Sequence, residues 1–281
     1  MRAVPIQRVV LVVLDGLRPD AIPRFGLTQL SELVQEGAAT MFARTVSPSV
    51  TACAMASLLT GAAPERHGLR SDRFYLPRSR GPLHPLPQTL AAHGYPTSAF
   101  LAAMPALFTG VAQRIAARLG VSQAHFAGRH CDEILNAAAG TLCAQRRGLV
   151  VLHFPDADRV GHDSGWMSAP YATAARRMDD AVAELCRRLD LTDPSTLLIA
   201  VADHGGGGAV VDHHNSPHPL DTTIPLILAG GAVRRSELAA GASLLDVPAT
   251  ICWALGVPRP ESFAGRPLAE AFQALAVEEA A

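Results

Sequence analysis

The segment Val9-Val10-Leu11-Val12-Val13-Leu14, followed at once by Asp15-Gly16, decides the fold class of this 281-residue chain. An unbroken aliphatic run rich in valine is typical of a strand that is covered on both faces, as in a parallel sheet. Residues 149–154 and 197–202 form two further runs of the same character, and helical patterns lie between the runs. Strands that alternate with helices predict a doubly wound α/β sheet.

The intervening segments support this fold class. A fourth run, residues 223–228, contains Pro225 and is predicted near an edge of the sheet, because proline cannot donate to a central ladder. The clearest helix is predicted over residues 171–189, with Ser168 as its cap and its apolar positions on one face. Residues 110–148 are predicted to contain helical stretches.

Composition narrows the class of protein. Hydrophobic residues make up 49% and charged residues 17%, which indicates a folded globular chain. A net charge of −1 argues against nucleic-acid binding, and the 5 cysteines contain no CxxC pair that would indicate a thiolate metal site. No apolar stretch approaches the length of a membrane span, and the first run is too short for a signal peptide. We expect one cytoplasmic domain over residues 1–281, without membrane partners.

A carboxylate follows each of the three long apolar runs. Asp15 follows the first, Asp156 and Asp158 follow the second, and Asp203 with His204 follows the third. Ligands of open α/β sheets bind outside the carboxyl ends of the strands, so these side chains converge if the strands are parallel neighbours. One such aspartate is usually only a turn or helix cap, but three together require a cation, since buried carboxylates are costly.

Histidines accompany two of these carboxylates. His162 lies four residues after Asp158, and a run of glycines after His204 leads to His213 and His214. The plain alternative for the first pair is a solvated loop with a capping aspartate. Aspartate and neutral histidine without cysteine suit Zn²⁺ or Mn²⁺, and two such ions about 4 Å apart can hold both oxygens of an in-line displacement.

Thr51 is the candidate nucleophile. The residues after it are good helix formers, and Gly61 is predicted to end that helix. A threonine at this place is most often only a helix cap. The same position, however, aims its hydroxyl and the helix N-terminal amides at the strand edge, where an anion can bind and a metal can lower the hydroxyl pKa.

These segments, in this order and spacing, resemble the alkaline phosphatase superfamily, and most closely its type I phosphodiesterase/nucleotide pyrophosphatase branch. The resemblance runs from about residue 8 to 268. The matching segments are Val13-Leu14-Asp15-Gly16-Leu17-Arg18-Pro19-Asp20, Pro48-x-x-Thr51, Leu58-x-Thr60-Gly61-x-x-Pro64-x-x-His67-Gly68, Asp158-x-x-x-His162, Asp203-His204-Gly205, and residues 245–251 and 265–268. The resemblance implies an alkaline phosphatase-like fold, with a largely parallel central sheet, helices on both faces and little or no inserted cap.

The resemblance also implies two divalent cations, with zinc as the first expectation and manganese as the alternative. The implied ligands of one cation are Asp158, His162 and His214, and those of the other are Asp15, Asp203, His204 and the Thr51 oxygen. His214 is preferred to His213 because the family's ligand histidine is followed by a small residue, a place that Asn215 fills here.

Two departures from the branch bear on substrate choice. Ala52-Cys53-Ala54 replaces the usual aromatic-Pro-Asn after the nucleophile, and Asp72 stands where the branch generally has an asparagine that donates to the phosphate. Asp72 is therefore predicted to contact the substrate. Cys53 does not indicate a sulfatase, since the proline and arginine of that signature are missing after it.

The implied activity is hydrolysis of a small-molecule phosphate ester, favoured as a diester or pyrophosphate, through a covalent phospho-threonine. A phosphomonoesterase or phosphonate hydrolase with the same two metals is the first alternative. A binding protein that keeps the fold without turnover is the second. A phosphomutase is disfavoured because those relatives carry a large inserted domain.

Overall fold

The computed structural model describes residues 6–71 and 78–273. Eight strands within them form one sheet: β1 (Arg8–Leu14), β2 (Ala38–Arg44), β3 (Thr97–Leu101), β4 (Gln123–Phe126), β5 (Gly148–Phe154), β6 (Thr196–Val201), β7 (Thr223–Ala229) and β8 (Ser236–Glu237). Their order across the sheet is β4-β3-β5-β1-β6-β7-β2-β8. β1 lies between β5 and β6 and is parallel to both, and β3 and β4 extend the parallel part. The prediction of a largely parallel α/β sheet is confirmed.

Helices connect the strands and cover the sheet. They are α1 (Ala21–Arg24), α2 (Thr28–Glu36), α3 (Thr51–Thr60), α4 (Pro64–His67), α5 (Leu86–Ala92), α6 (Ala106–Arg118), α7 (Cys131–Ala144), α8 (Asp156–Ser164), α9 (Ala169–Arg188), α10 (Pro219–Thr222) and α11 (Asp246–Ala254), followed by a 3₁₀ turn at Ala269–Ala271. α2, α7 and α9 pack together as one group, and α3, α5 and α11 pack as another. Among the described residues, no helix combines the length and the apolar composition that a membrane crossing requires.

The local signals for two helices are confirmed. α9 matches the helix predicted over residues 171–189 within two residues at each end, and the Ser168 hydroxyl accepts a hydrogen bond from the Tyr171 amide at 3.3 Å. α3 begins at Thr51 and ends before Gly61, whose φ of 62° is left-handed. Such a conformation is readily adopted by glycine and explains why the helix stops there.

The prediction that Pro225 places its strand near an edge is wrong. β7 lies between β6 and β2 and is antiparallel to both. The register of β2 shifts between Thr40 and Ala43, opposite Pro225, so β2 offers no regular ladder position there. The Pro225 carbonyl still accepts a hydrogen bond from the Ala202 amide at 3.3 Å. A bulge in the partner strand therefore accommodates the missing donor.

Four strands of the described sheet were not expected from the sequence. β4 lies within residues 110–148, for which helical stretches were predicted, and β2, β3 and β8 fall in segments with no strand assignment. β4 is short, contains Gln123 and His125, and has no fully buried residue. Strands of this kind lack the long apolar run that identifies β1, β5 and β6.

Candidate functional site

The loops that follow β1, β5 and β6 meet at one edge of the sheet. Because β1 is paired in register with both neighbours, its last residues lie level with theirs. The Asp15 amide donates to the carbonyl of Phe154 at 3.0 Å, and the Asp158 amide donates to the carbonyl of Asp15 at 3.0 Å. The main chain thus holds the end of β1 against the start of α8.

Asp15, Asp203 and His204 form the first group of side chains at this edge. One ligand-type atom from each lies within 4.8 Å of the others. Nε2 of His204 is 3.4 Å from Oδ1 of Asp15 and 3.6 Å from Oδ2 of Asp203. All three residues are buried, and the Gly16 amide donates to Oδ1 of Asp203 at 3.2 Å.

A second group, Asp158, His204 and His214, adjoins the first. One ligand-type atom from each of these three residues also lies within 4.8 Å of the others. His204 belongs to both groups, and its ring stacks on that of His214 with a centroid distance of 3.8 Å. His162 joins the second group, since its Nε2 is 3.5 Å from Oδ1 of Asp158 and 3.0 Å from Nε2 of His214. Asp158 and His162 face the same way because a spacing of four residues on α8 places them on one side.

The structure separates the two adjacent histidines. The side chain of His213 is 68% exposed, and its Nδ1 bonds to the neighbouring carboxylate of Asp212. His214 is buried and faces Asp158, with 3.6 Å between its Nε2 and Oδ1 of the carboxylate. Burial, followed by the nearby ring of His204, lowers the pKa of His214 to about 3, so its ring is neutral at neutral pH.

The two groups together, with His162, are called the cluster, and each of its three histidines uses Nδ1 for a main-chain hydrogen bond. Their acceptors are the carbonyls of Asp212 for His162 at 2.8 Å, Gly205 for His204 at 2.8 Å, and Ser49 for His214 at 2.6 Å. Nδ1 therefore carries the proton in the neutral ring, and the Nε2 lone pair faces the carboxylates. Histidines that bind metals usually show this arrangement, in which the second ring nitrogen is held by a carbonyl or carboxylate.

The chemistry of this cluster fits divalent cations. Its donors are carboxylate oxygens and imidazole nitrogens, without cysteine, which suit Zn²⁺ or Mn²⁺. Oδ2 of Asp203 is buried and forms no hydrogen bond to another described residue. Burial raises the pKa of the Asp203 carboxyl, but the positive charge of His204 and His153 when they are protonated, together with the Gly16 amide, outweighs burial and holds this pKa below its usual value. A cation would compensate the negative charge and the facing lone pairs.

Thr51 places its hydroxyl beside this cluster. Oγ1 is 3.1 Å from Nε2 of His204 and 3.5 Å from Oδ1 of Asp15. The helix-cap position of α3 is Val50, and no side chain caps this end, so the plain interpretation of Thr51 as a cap does not hold. Cys53 is fully buried and belongs to the hydrophobic core.

Two further aspartates were singled out in the sequence, and neither is described as part of the site. Asp72, predicted to contact the substrate, lies outside the described residues. Asp156 follows β5 as expected, but it is buried under α7, where it accepts a hydrogen bond from the Cys131 amide and contacts Nδ1 of His130, both at 2.8 Å. Asp156 therefore stabilises the start of α7.

Sequence reasoning missed His153 and Trp166. Nε2 of His153 lies 3.2 Å from Oδ2 of Asp15, close to the first group of side chains, although the contact lacks the geometry of a hydrogen bond. The signal was present, since His153 interrupts the apolar run of β5. Trp166 Nε1 and the Tyr171 hydroxyl both donate to the carbonyl of Gly16 at 2.9 Å, a convergence that no motif reveals.

Comparisons with known families agree with this geometry. The profile of the type I phosphodiesterase / nucleotide pyrophosphatase family matches residues 9–118. The profile of the metalloenzyme superfamily matches residues 98–259, which is more than half of the chain.

Curated relatives share part of the chain. It is 30% identical to the 2,3-bisphosphoglycerate-independent phosphoglycerate mutase of Rippkaea orientalis over 131 residues, which are 43% of this chain and 24% of that enzyme. It is 32% identical to the enzyme of the same name from Cereibacter sphaeroides over 126 residues, 44% of this chain and 24% of the relative. The chain thus spans about a quarter of the length of these relatives.

Solved structures share the fold at low identity. A putative sulfatase from Bacteroides thetaiotaomicron has a TM-score of 0.74 at 15% identity, covering 95% of this chain and 74% of the other. Murine ectonucleotide pyrophosphatase / phosphodiesterase 5, solved as an inactive variant with AMP, has a TM-score of 0.67 at 14% identity, covering 90% and 96%. At such identities the likeness concerns the fold alone.

Fold and site together define an alkaline phosphatase-like protein with a histidine and aspartate cluster at the carboxyl edge of its sheet. The chain belongs to the metalloenzyme superfamily within the alkaline phosphatase superfamily, and the resemblance found in the sequence is confirmed.

Proposed function

We propose that this protein hydrolyses phosphate esters, with diesters or pyrophosphates preferred, through a covalent intermediate on Thr51. The observation that carries the proposal is the position of the Thr51 hydroxyl, 3.1 Å from Nε2 of His204 and beside both side-chain groups. A hydroxyl used only for structure would have no need of this neighbourhood. The superfamily, whose members combine metals with such sites, supports the same conclusion.

Two divalent cations are part of this proposal, with zinc first and manganese as the alternative. Asp15, Asp203, His204 and the Thr51 oxygen would hold one cation, and Asp158, His162 and His214 would hold the other. When bound, the cations would supply positive charge that favours the ionised threonine hydroxyl and the negative phosphoryl group.

The residues of the chain carry out the rest of the reaction. Oγ1 of Thr51 attacks phosphorus, the bond from phosphorus to the leaving oxygen breaks, and the threonine proton passes to solvent. Water then attacks the phospho-threonine, which releases the phosphorylated product and restores the hydroxyl. Thr51 is the first residue of α3, and the positive end of the helix dipole at this position favours the negative phosphoryl oxygens.

The test compares Thr51→Ala with Thr51→Ser. We expect alanine to lower kcat for bis(p-nitrophenyl) phosphate by at least about 10³-fold, since a covalent nucleophile is removed, and serine to retain part of the activity. Acid-quenched wild-type protein should show a phosphoryl adduct on the peptide that contains residue 51. Metal content and thermal unfolding serve as controls for the fold.

Thr51→Ala with wild-type turnover would contradict the proposal and leave a purely structural threonine. A panel of nitrophenyl monoesters, diesters and phosphonates with added Zn²⁺ or Mn²⁺ separates the alternatives. Preference for monoesters or phosphonates would establish the first alternative, and binding without turnover would establish the second.

A further inference from the structure

The half-buried face of α3 is apolar from its second residue onward. Residues 51, 52, 55, 56 and 59 are half-buried, whereas residues 53, 54, 57 and 58 are buried in the core. Thr51, Met55 and Leu59 are spaced by four residues and so follow one side of the helix. The same side that begins with the candidate nucleophile therefore continues as an apolar track.

This track leads into a cavity of about 220 Å³. Met55 and Leu59 form its wall on α3, and Ala112 and Ala116 form its wall on α6. Residues of β3, β4 and β5 form its floor. Met55 is one helical turn, or about 6 Å along the axis, from Thr51. The wall of the cavity thus begins one helical turn from the proposed site of chemistry.

α6 covers the cavity without filling it. None of its residues is buried, although its sequence is largely apolar. Leu107, Phe108 and Ile115 are 83%, 56% and 49% exposed. α6 begins shortly after the carboxyl end of β3, so its exposed apolar N-terminal turn lies toward the same edge of the sheet as the cluster. An apolar surface therefore extends from this edge to the cavity.

The lining of the cavity selects an apolar occupant. Thr97 supplies the one polar side chain among the described lining residues, and its buried hydroxyl forms no hydrogen bond to another described residue. An ordered water needs two to four polar partners, which this lining does not offer. Protein interiors are otherwise close-packed, and an apolar cavity of roughly 150 Å³ is known to bind benzene.

We propose that the substrate carries an aliphatic chain, which lies along α3 from Thr51 and ends in the cavity between α3 and α6. This inference rests on the proposed function, because the phosphate ester at Thr51 fixes where the chain begins. Ala52, directly after the nucleophile, has a small, half-buried side chain. The substrate class is then a phosphate ester of a long-chain alcohol or of an alcohol that bears such a chain.

The kinetic test uses p-nitrophenyl alkyl phosphates with alkyl groups from methyl to decyl. In the wild type, KM should fall by up to about fourfold per added methylene until the cavity is full. Ala116→Leu should remove this dependence, so that KM no longer falls as the alkyl group lengthens. Ala117→Leu on the exposed side of α6 is the matched control and should behave as the wild type. If leucine prevents folding, Ala112→Val reduces the cavity by less and is tested in the same way.

A second measurement does not depend on catalysis. Octan-1-ol should bind to metal-free Thr51→Ala protein, as measured by calorimetry or ligand-observed NMR, and Ala116→Leu in that background should abolish the binding. Turnover of short esters with no dependence on chain length and no octanol binding would overturn the inference and leave the proposed function intact. Octanol binding without hydrolysis of any ester would instead overturn the proposed function. The cavity would then bind an aliphatic ligand that is not part of a substrate.

Discussion

Replacing Gly16 by alanine tests how the turn after β1 positions the candidate site. Gly16 has a φ of +68°, and a Cβ added there would lie 2.8 Å from Cα of Asp158. Carbon atoms pack at about 3.5 Å or more, so the start of α8 must move by about 0.7 Å. The turn is also held by hydrogen bonds from Trp166 and Tyr171 to the Gly16 carbonyl, so it cannot easily move instead.

Gly26 provides the matched control. Its φ of +63° is nearly the same, but a Cβ added there would meet nothing within 4 Å. Gly26→Ala therefore adds the left-handed strain alone and should lower the free energy of unfolding by about 1 kcal/mol. Gly16→Ala adds overpacking, which typically costs a further 1–3 kcal/mol or so.

The effect on activity should separate the two variants more clearly. A displacement of 1 Å in an active site can cost roughly 100-fold in rate, so a shift of about 0.7 Å at Asp158 should lower kcat by on the order of tenfold or more. Gly26→Ala should keep the wild-type kcat. The measurements are urea unfolding of the metal-free proteins, metal content after dialysis, and kcat for bis(p-nitrophenyl) phosphate at saturating Zn²⁺. Equal losses of stability in both variants, with full activity in Gly16→Ala, would show that this contact does not position Asp158.

Two further predictions concern histidines. Wild-type protein should retain two metal equivalents after dialysis. His214→Ala should lower the affinity for one metal by more than about 100-fold, because replacing even a hydrogen-bond partner of a ligand typically lowers metal affinity by roughly 10–100-fold. His213→Ala should leave both metals bound. Loss of a metal in the His213 variant alone would make His213, and not His214, the ligand. His67 is buried, with its Nε2 3.0 Å from the Ser57 hydroxyl, and burial lowers its pKa. The folded protein therefore favours the neutral ring, and this contribution to the free energy of unfolding should be complete above about pH 6.5 and lost as the pH falls below that value. Comparing metal-free wild type with His67→Gln from pH 8 to 5 checks this, and identical pH slopes would exclude a role for His67.

The sequence by itself determined the central half of the fold and most of the side chains that meet at its carboxyl edge. The long apolar runs identify β1, β5 and β6 because a strand buried on both faces tolerates few polar residues. Carboxylates directly after these strands indicate one shared edge, since parallel strands end on the same side. Asp15, Asp158, Asp203 and His204 could be chosen on this ground, and Thr51 could be proposed from the start of its helix.

Only the tertiary structure decided the remaining points. β4 has too few buried positions to show a pattern, and Pro225 is tolerated in a central strand because a bulge lies opposite it in β2. Spacing alone could not separate His213 from His214, because their environments depend on how the glycine-rich segment folds back against Ser49. The cavity between α3 and α6 is likewise invisible in the sequence. All of these features depend on contacts between residues far apart in the chain, and local patterns carry no record of such contacts.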